Sequence, residues 1–181
     1  MNNNQTLNHE ILNRVKKIYS ELNNIPSFNK NRTKILYLDD EIKNLKSFQS
    51  LFRREYLTTI VNTANEAYNL LENNEYHIIL TDQKMPGTTG TEFFKNISSK
   101  HPNSIRIILS GYTELQIIKE SIKKGDTCHY LTKPWKLEEM KKVIDTAHEL
   151  IYTKERYQHL LESEGNPNIG LGHLLQCKSN P

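Results

Sequence analysis

Ile35-Leu36-Tyr37-Leu38-Asp39-Asp40-Glu41 is the stretch that decides the fold, because an apolar run there stops abruptly in three acids. The pattern returns as Ile78-Ile79-Leu80-Thr81-Asp82, as the run from Ile105 to Leu109 closed by Ser110, and as Tyr130-Leu131-Thr132-Lys133-Pro134. Short buried strands that each end in a charged or hydroxyl residue point to a parallel sheet with a reaction centre along its carboxyl edge.

Outward from these runs, the spacing predicts strands near 34–38, 57–62, 77–81, 105–109 and 128–132. Helices fill the intervals, near 41–54, 64–73, 89–100, 114–124 and 136–160. Thr63 with Glu66, Thr89 with Glu92 and Thr113 with Gln116 each have capping-box spacing. Gly125, after Lys123-Lys124, stands where a left-handed residue closes a helix. Strands alternating with helices, joined by right-handed crossovers, give an α/β doubly wound five-stranded parallel sheet of flavodoxin-like order 2-1-3-4-5.

The 181 residues allow one domain of about 100–150 residues with extensions. Leu7, Ile11, Val15, Ile18, Leu22 and Ile25 recur at helical steps, and Pro26 ends that extra N-terminal helix before a polar linker. Three segments are therefore expected: an arm and linker at 1–32, the α/β domain at 33–150, and a helical extension with an irregular tail at 151–181. The last helix carries two seams. Leu137, Met140, Ile144, Ala147 and Ile151 suit packing on the sheet. Val143, Leu150, Tyr157 and Leu161 suit either a partner helix, as in a short coiled coil, or a fold-back onto the chain's own domain. Gly165-Asn166-Pro167 breaks this helix.

The net charge is +3. Residues 1–33 hold five Lys or Arg against two Glu, so the remainder is near neutral and direct DNA binding is not expected. No run approaches the roughly 20 apolar residues that span a bilayer, and residues 1–6 are polar and do not begin a signal peptide. Cys128 and Cys177 lack a CxxC spacing. The expectation is a cytoplasmic protein with reduced thiols and no membrane contact, with a disulfide as the alternative for the cysteines.

The strand-end residues make a chemical set. Asp39, Asp40 and Asp82 would crowd onto neighbouring strands, where like charges repel unless a cation sits among them. Mg²⁺ suits such a site, because it takes oxygen ligands and uses one or two carboxylates while keeping several waters. Asp39-Asp40 also fits a helix N-cap, with Asp40 in that role. Asp82 opens Asp82-Gln83-Lys84-Met85-Pro86-Gly87, either as an ordinary Asx turn or as a carboxylate nucleophile that accepts a phosphoryl group. A backbone carbonyl of that turn is a further metal donor. Ser110-Gly111 reads as a turn or as a hydroxyl that donates to phosphoryl oxygens. Lys133 reads as an exposed strand-end cation or as a mobile partner for the carboxylate and then the phosphoryl group. Lys133-Pro134 is a candidate cis bond.

With these residues in place, the chain over about 33–150 resembles the receiver domains of two-component response regulators, of chemotaxis type. Four motifs carry the resemblance: Leu38-Asp39-Asp40-Glu41; Thr81-Asp82-Gln83-Lys84-Met85-Pro86-Gly87 with Gly90; Leu109-Ser110-Gly111; and Tyr130-Leu131-Thr132-Lys133-Pro134-Trp135. The resemblance implies that Asp82 is the phosphoacceptor and that Asp40 and Asp82 ligate Mg²⁺ directly, with Asp39 acting mainly through metal-bound water. It further implies the Lys84 carbonyl as the third protein ligand, Ser110 as switch hydroxyl, Lys133 as the site lysine and Tyr130 as a rotating aromatic. Gln83 and Lys84 fall where access of hydrolytic water is tuned. No output module is recognised after residue 150.

The function expected is a phosphorylation-controlled response regulator, not an enzyme beyond its own phosphorylation and dephosphorylation. A histidine kinase or phosphotransfer protein supplies the phosphoryl group, and a downstream protein, or a second copy through the terminal helices, reads the result. The alternative is a Mg²⁺-dependent small-molecule phosphatase with an aspartyl-phosphate intermediate. It lacks a second carboxylate two residues past the nucleophile as general acid.

Overall fold

The computed structural model describes residues 33–163. Residues 33–151 form one compact unit, and residues 152–163 belong to a second. The arm expected at 7–25, its linker and the tail beyond 163 lie outside the described residues.

The first unit holds five parallel strands: β1 (Lys34–Leu38), β2 (Leu57–Val61), β3 (Ile78–Asp82), β4 (Ile105–Ser110) and β5 (His129–Thr132). Helices follow them as α1 (Ile42–Phe52), α2 (Ala64–Asn73), α3 (Gly90–Ile97), α4 (Leu115–Lys124) and α5 (Leu137–Ser163). The sheet order is 2-1-3-4-5, as the crossover argument requires. Successive side chains of a strand face opposite ways, so each strand feeds two cores. Ile35, Tyr37, Ile78, Leu80, Ile107 and Leu109 pack with α1 and α5 through Phe48, Phe52, Met140 and Ile144. Leu36, Leu38, Ile79 and Ile108 pack with α2, α3 and α4 through Leu71, Phe93, Phe94 and Ile118. Each such side chain, fully buried, contributes about 1.5–3 kcal/mol.

Helix starts agree with the spacing in two of three cases. Thr89 and Glu92 make a full capping box. At Thr63 the hydroxyl accepts the Glu66 N–H, while Glu66 reaches back to Asn62 N–H instead of Thr63 N–H. Thr113 does not cap α4. A 3-10 turn at Tyr112–Glu114 precedes that helix, and the Thr113 hydroxyl donates to Glu114. Asp40 is likewise not the cap of α1: Glu41 holds that position without a side-chain bond, and Asp39 takes the Glu41 N–H. Gly125 closes α4 in the left-handed region at φ 80°.

Met140, Ile144, Ala147 and Ile151 are buried, whereas Leu137, at the start of α5, is 42% exposed. In the second seam Val143 packs partly on the core and Leu150 is exposed. The side chains of Tyr157 and Leu161 lie outside those described. In the second unit the Arg156 guanidinium stands 4.8 Å over the Tyr152 ring. Cys128, expected as a reduced thiol, is disulfide-bonded. Among the described residues no helix is long and apolar enough to cross a membrane.

One element was not foreseen. Lys84–Met85 and Thr88–Thr89 pair as a small antiparallel hairpin that turns at Gly87, φ 80°. It folds back so far that a Cβ on Gly90 would lie 2.5 Å from the Asp82 carbonyl oxygen and 2.9 Å from the Thr81 methyl. A side chain there must displace the backbone of Asp82. Gly90→Ala is expected to cost about 1–3 kcal/mol, the usual range for overpacking. Urea unfolding of the two proteins measures it, and an unchanged midpoint contradicts the account.

Candidate functional site

β1, β3 and β5 bring three distant residues together at the carboxyl edge. Lys133 Nζ lies 2.5 Å from Asp82 Oδ1 and 3.3 Å from Asp39 Oδ2. Strand alternation explains the convergence. Asp39 continues the face of Ile35 and Tyr37, Asp82 that of Ile78 and Leu80, and Lys133 that of Leu131, all toward α1 and α5. Ser110 and Tyr130 fall on the opposite face with Ile108, the Cα partner of Tyr130. The sheet therefore separates an ionic pocket on one side from a hydroxyl and an aromatic on the other. The Lys133-Pro134 bond is cis.

Asp39 is the most enclosed member, its side chain 1% exposed. Its carboxylate accepts from Tyr37 OH at 2.6 Å, from Asn44 Nδ2 at 3.1 Å on each oxygen, and from Glu41 N–H at 2.9 Å. A buried carboxylate needs such partners, since leaving an ion unpaired in the interior costs far more than each bond returns. Asp40, next in the chain, is exposed.

Asp82 is held from two sides. Oδ1 meets Lys133, and Oδ2 accepts the Lys84 N–H at 2.9 Å, so the Asx-turn and strand-end readings are both met. Burial pushes its carboxyl up from the ordinary value; Lys133 pulls it down, and Asp39 adds a further upward push. Burial also works to lower the Lys133 ammonium, but Asp82 and Asp39 more than offset it and the group stays raised. This is a crowded anionic pocket with one resident cation.

The donor chemistry fits Mg²⁺. Among the described residues no three His, Cys, Asp or Glu side chains gather as a cage. Mg²⁺ does not need one, because one or two carboxylates and a carbonyl with waters suffice. Asp82 is disfavoured as an anion by burial and by Asp39, which is the field a second cation relieves.

Around the turn, Gln83 is buried and clamped to the start of α3. It accepts the Thr91 N–H at 3.1 Å and donates to the Thr91 hydroxyl at 3.2 Å. It is thus turned away from the site, and Lys84 is the exposed one of the pair. Lys84 Nζ lies 2.7 Å from Glu114 Oε1. The Ser110 hydroxyl has one proton and two acceptors, Glu114 Oε2 at 2.8 Å and the Gly111 carbonyl at 2.9 Å. Lys84 foremost, then the Thr113 and Ser110 hydroxyls, hold the Glu114 carboxyl down at about 2.

Sequence reasoning missed Tyr37, Asn44 and Glu114. Tyr37 reads as one more apolar strand residue, though its place two before Asp39 puts both on one face. Asn44 sits in the first turn of α1, without a motif. Glu114 reaches Ser110 only because of the 3-10 turn between them.

The sign of the Asp82 shift yields a test. A raised carboxyl means that the folded state prefers the protonated form, so ionising Asp82 costs stability as pH rises through its folded value. Below about 3.9, the ordinary Asp value, that cost is gone. Asp82→Asn is expected to melt above the wild type near neutral pH, with the gap closing as pH falls below about 4. Melting curves across that range decide it, and a wild type more stable than the variant at neutral pH contradicts it.

Comparison with known proteins returns one family model, "Response regulator receiver domain", matched over residues 35–145. The hydrogenase transcriptional regulatory protein HoxA of Bradyrhizobium diazoefficiens is 32% identical over 146 residues, covering 80% of this chain and 29% of the relative. The sporulation initiation phosphotransferase F of Bacillus subtilis is 29% identical over 112 residues, covering 61% of this chain and 90% of the relative. A response regulator receiver domain protein from Clostridium thermocellum superposes with TM-score 0.61 at 27% identity, over 68% of this chain and 98% of that one. The chain spans under a third of the length of the HoxA relatives it matches.

Proposed function

From the premise that the chain belongs to the response regulator receiver domains of two-component signalling, we propose that Asp82 accepts a phosphoryl group and that this switches a protein-binding face. Members of this family are signalling domains that work with histidine kinases or phosphotransfer proteins. The observation that carries the reading is Lys133 Nζ, poised between Asp82 and Asp39 at 2.5 and 3.3 Å. A lysine already on the acceptor carboxylate is in place to follow charge onto the phosphoryl oxygens.

In this reading an Asp82 oxygen forms a new O–P bond as the P–N bond of the donor's phosphohistidine breaks, and the imidazole leaves. Asp40, Asp82 and the Lys84 carbonyl would hold Mg²⁺, with Asp39 acting through water, and the ion would neutralise charge on the transferring oxygens. Lys133 shifts from carboxylate to phosphoryl oxygen. Tyr37, Asn44 and the Glu41 N–H keep Asp39 immobile meanwhile. The adduct adds roughly −1.5 to −2 charges. Ser110 then donates to the new oxygens and Tyr130, on the same sheet face, turns inward.

The surface that changes is formed by α4, β5 and the start of α5. Its exposed lysines, Lys119, Lys123, Lys124, Lys136 and Lys142, suit an acidic partner. Lys141 is less available, since Nζ already meets Glu55 Oε1 at 2.9 Å. We assign residues 33–150 to the receiver, in the cytoplasm, and a homodimer contact to the terminal helices that the sequence predicts. Moving such a switch from mostly off to mostly on takes about 5.5 kcal/mol of differential binding, within reach of several charged hydrogen bonds.

Acetyl phosphate with Mg²⁺, followed by intact mass, tests the chemistry. Wild type should gain one phosphoryl group and Asp82→Asn none, while Lys133→Ala should be slowed by about 10²-fold, the scale of losing one charge-stabilising donor. Sustained turnover of a small phosphoester by the wild type would favour the phosphatase instead.

A further inference from the structure

We infer that Glu114 is a positioning residue that acts as an internal rival of the phosphoryl group, holding the switch hydroxyl and the cation beside the acceptor in the unphosphorylated state. The inference rests on the phosphoryl-switch reading and deepens it. Two contacts carry it: Ser110 Oγ to Glu114 Oε2 at 2.8 Å, and Lys84 Nζ to Glu114 Oε1 at 2.7 Å. One carboxylate thus engages, oxygen by oxygen, two proton-bearing groups that lie near Asp82 in the fold and are separate from Lys133. Ser110 follows Leu109, the Cα partner of Asp82, and Lys84 is two residues past Asp82 in the chain.

The placement is built rather than incidental. Glu114 is 9% exposed, at the junction of the 3-10 turn and α4, with Thr113 donating to the same carboxylate. Gly111 packs close, with room for a Cβ only at 3.3 Å from Glu114 Oε2. Ser110 has a single hydroxyl proton, so while it serves Glu114 Oε2 or the Gly111 carbonyl it is withheld from a phosphoryl oxygen. A phosphoryl group on Asp82 presents three strong acceptor oxygens to the same two donors. It must therefore win them from a charged acceptor, which binds a hydroxyl more strongly than a neutral one does. When Ser110 and Lys84 leave, Glu114 keeps the Thr113 hydroxyl but loses its two contacts toward the Asp82 edge, and the 3-10 turn and first turn of α4 that carry it are freed to move. Glu114 in this way sets the threshold of the switch and ties it to the α4 surface.

Beryllofluoride with Mg²⁺ is the probe, titrated against wild type, Glu114→Gln and Glu114→Ala. Trp135, the single tryptophan and two residues past Lys133, gives the fluorescence readout. Both variants should bind the adduct about tenfold more tightly than wild type, the change expected when one charge-assisted hydrogen bond no longer competes. Amide hydrogen exchange at 110–116 in the free variants should rise toward that of the bound wild type. A merely structural Glu114 would lower the melting temperature and loosen the adduct, which overturns the inference. Equal affinity in all three proteins overturns it as well. Failure of wild type to bind beryllofluoride, with Asp82→Asn equally silent, removes the phosphoryl-switch reading itself.

Discussion

Two carboxylates, Asp39 and Asp82, are brought off the ends of neighbouring strands into one poorly solvated corner, and Lys133 is the cation that makes this tolerable. The arrangement of the site follows from that electrostatic constraint. Burial alone would drive Asp82 toward its neutral form, and a neutral acid is a poor nucleophile. Lysine restores part of the anion's stability without saturating the pocket, so the site remains short of positive charge.

The pocket's walls are as constrained as its charges. Asp39 is pinned by a tyrosine hydroxyl, an asparagine amide and a backbone N–H, which reserves it as a fixed point against which Asp82 and Lys133 can rearrange. Asp82 is fixed through its backbone instead. Gly90 presses on its carbonyl, and Gln83 ties the intervening loop to α3 through Thr91. The side chain is held only by Lys133 and the Lys84 N–H, both at its carboxylate oxygens, while its main chain is fixed by packing. That is the division of labour expected where a group must react without losing its position.

The opposite face of the sheet carries the hydroxyl and the aromatic that the proposed switch would use. Ser110 and Tyr130 project away from the ionic pocket, toward the core shared with α3 and α4. In the proposed switch a signal would cross from one face to the other where the strands end, at the edge where Lys84, Ser110 and Glu114 meet. Their bonds are few and charge-assisted, with the exposed Lys84 weakly held and Glu114 mostly covered. Under the proposed switch, a change of charge at Asp82 would reach α4 through this short chain of contacts, not by deformation of the packed sheet.

Strand positions, sheet order and the residues of the ionic pocket were all readable in the chain, because each strand is a local apolar run and its closing residue is next in line. Asp39, Asp82, Ser110 and Lys133 stand out at fixed offsets from runs that alternation alone defines. Local rules failed where two elements compete for the same residues. Thr113 has the spacing of a helix cap but sits in a 3-10 turn, Asp40 yields its cap position to Glu41, and the Lys84–Thr89 hairpin depends on contact with the Asp82 backbone. Tyr37, Asn44 and Glu114 acquire their roles only from neighbours distant along the fold or turned by a single irregular loop. By itself the sequence determined which residues reach the carboxyl edge, since periodicity is a property of each segment. Only the tertiary structure decided which oxygen each donor meets, because that depends on the angle between segments, and no one segment encodes it.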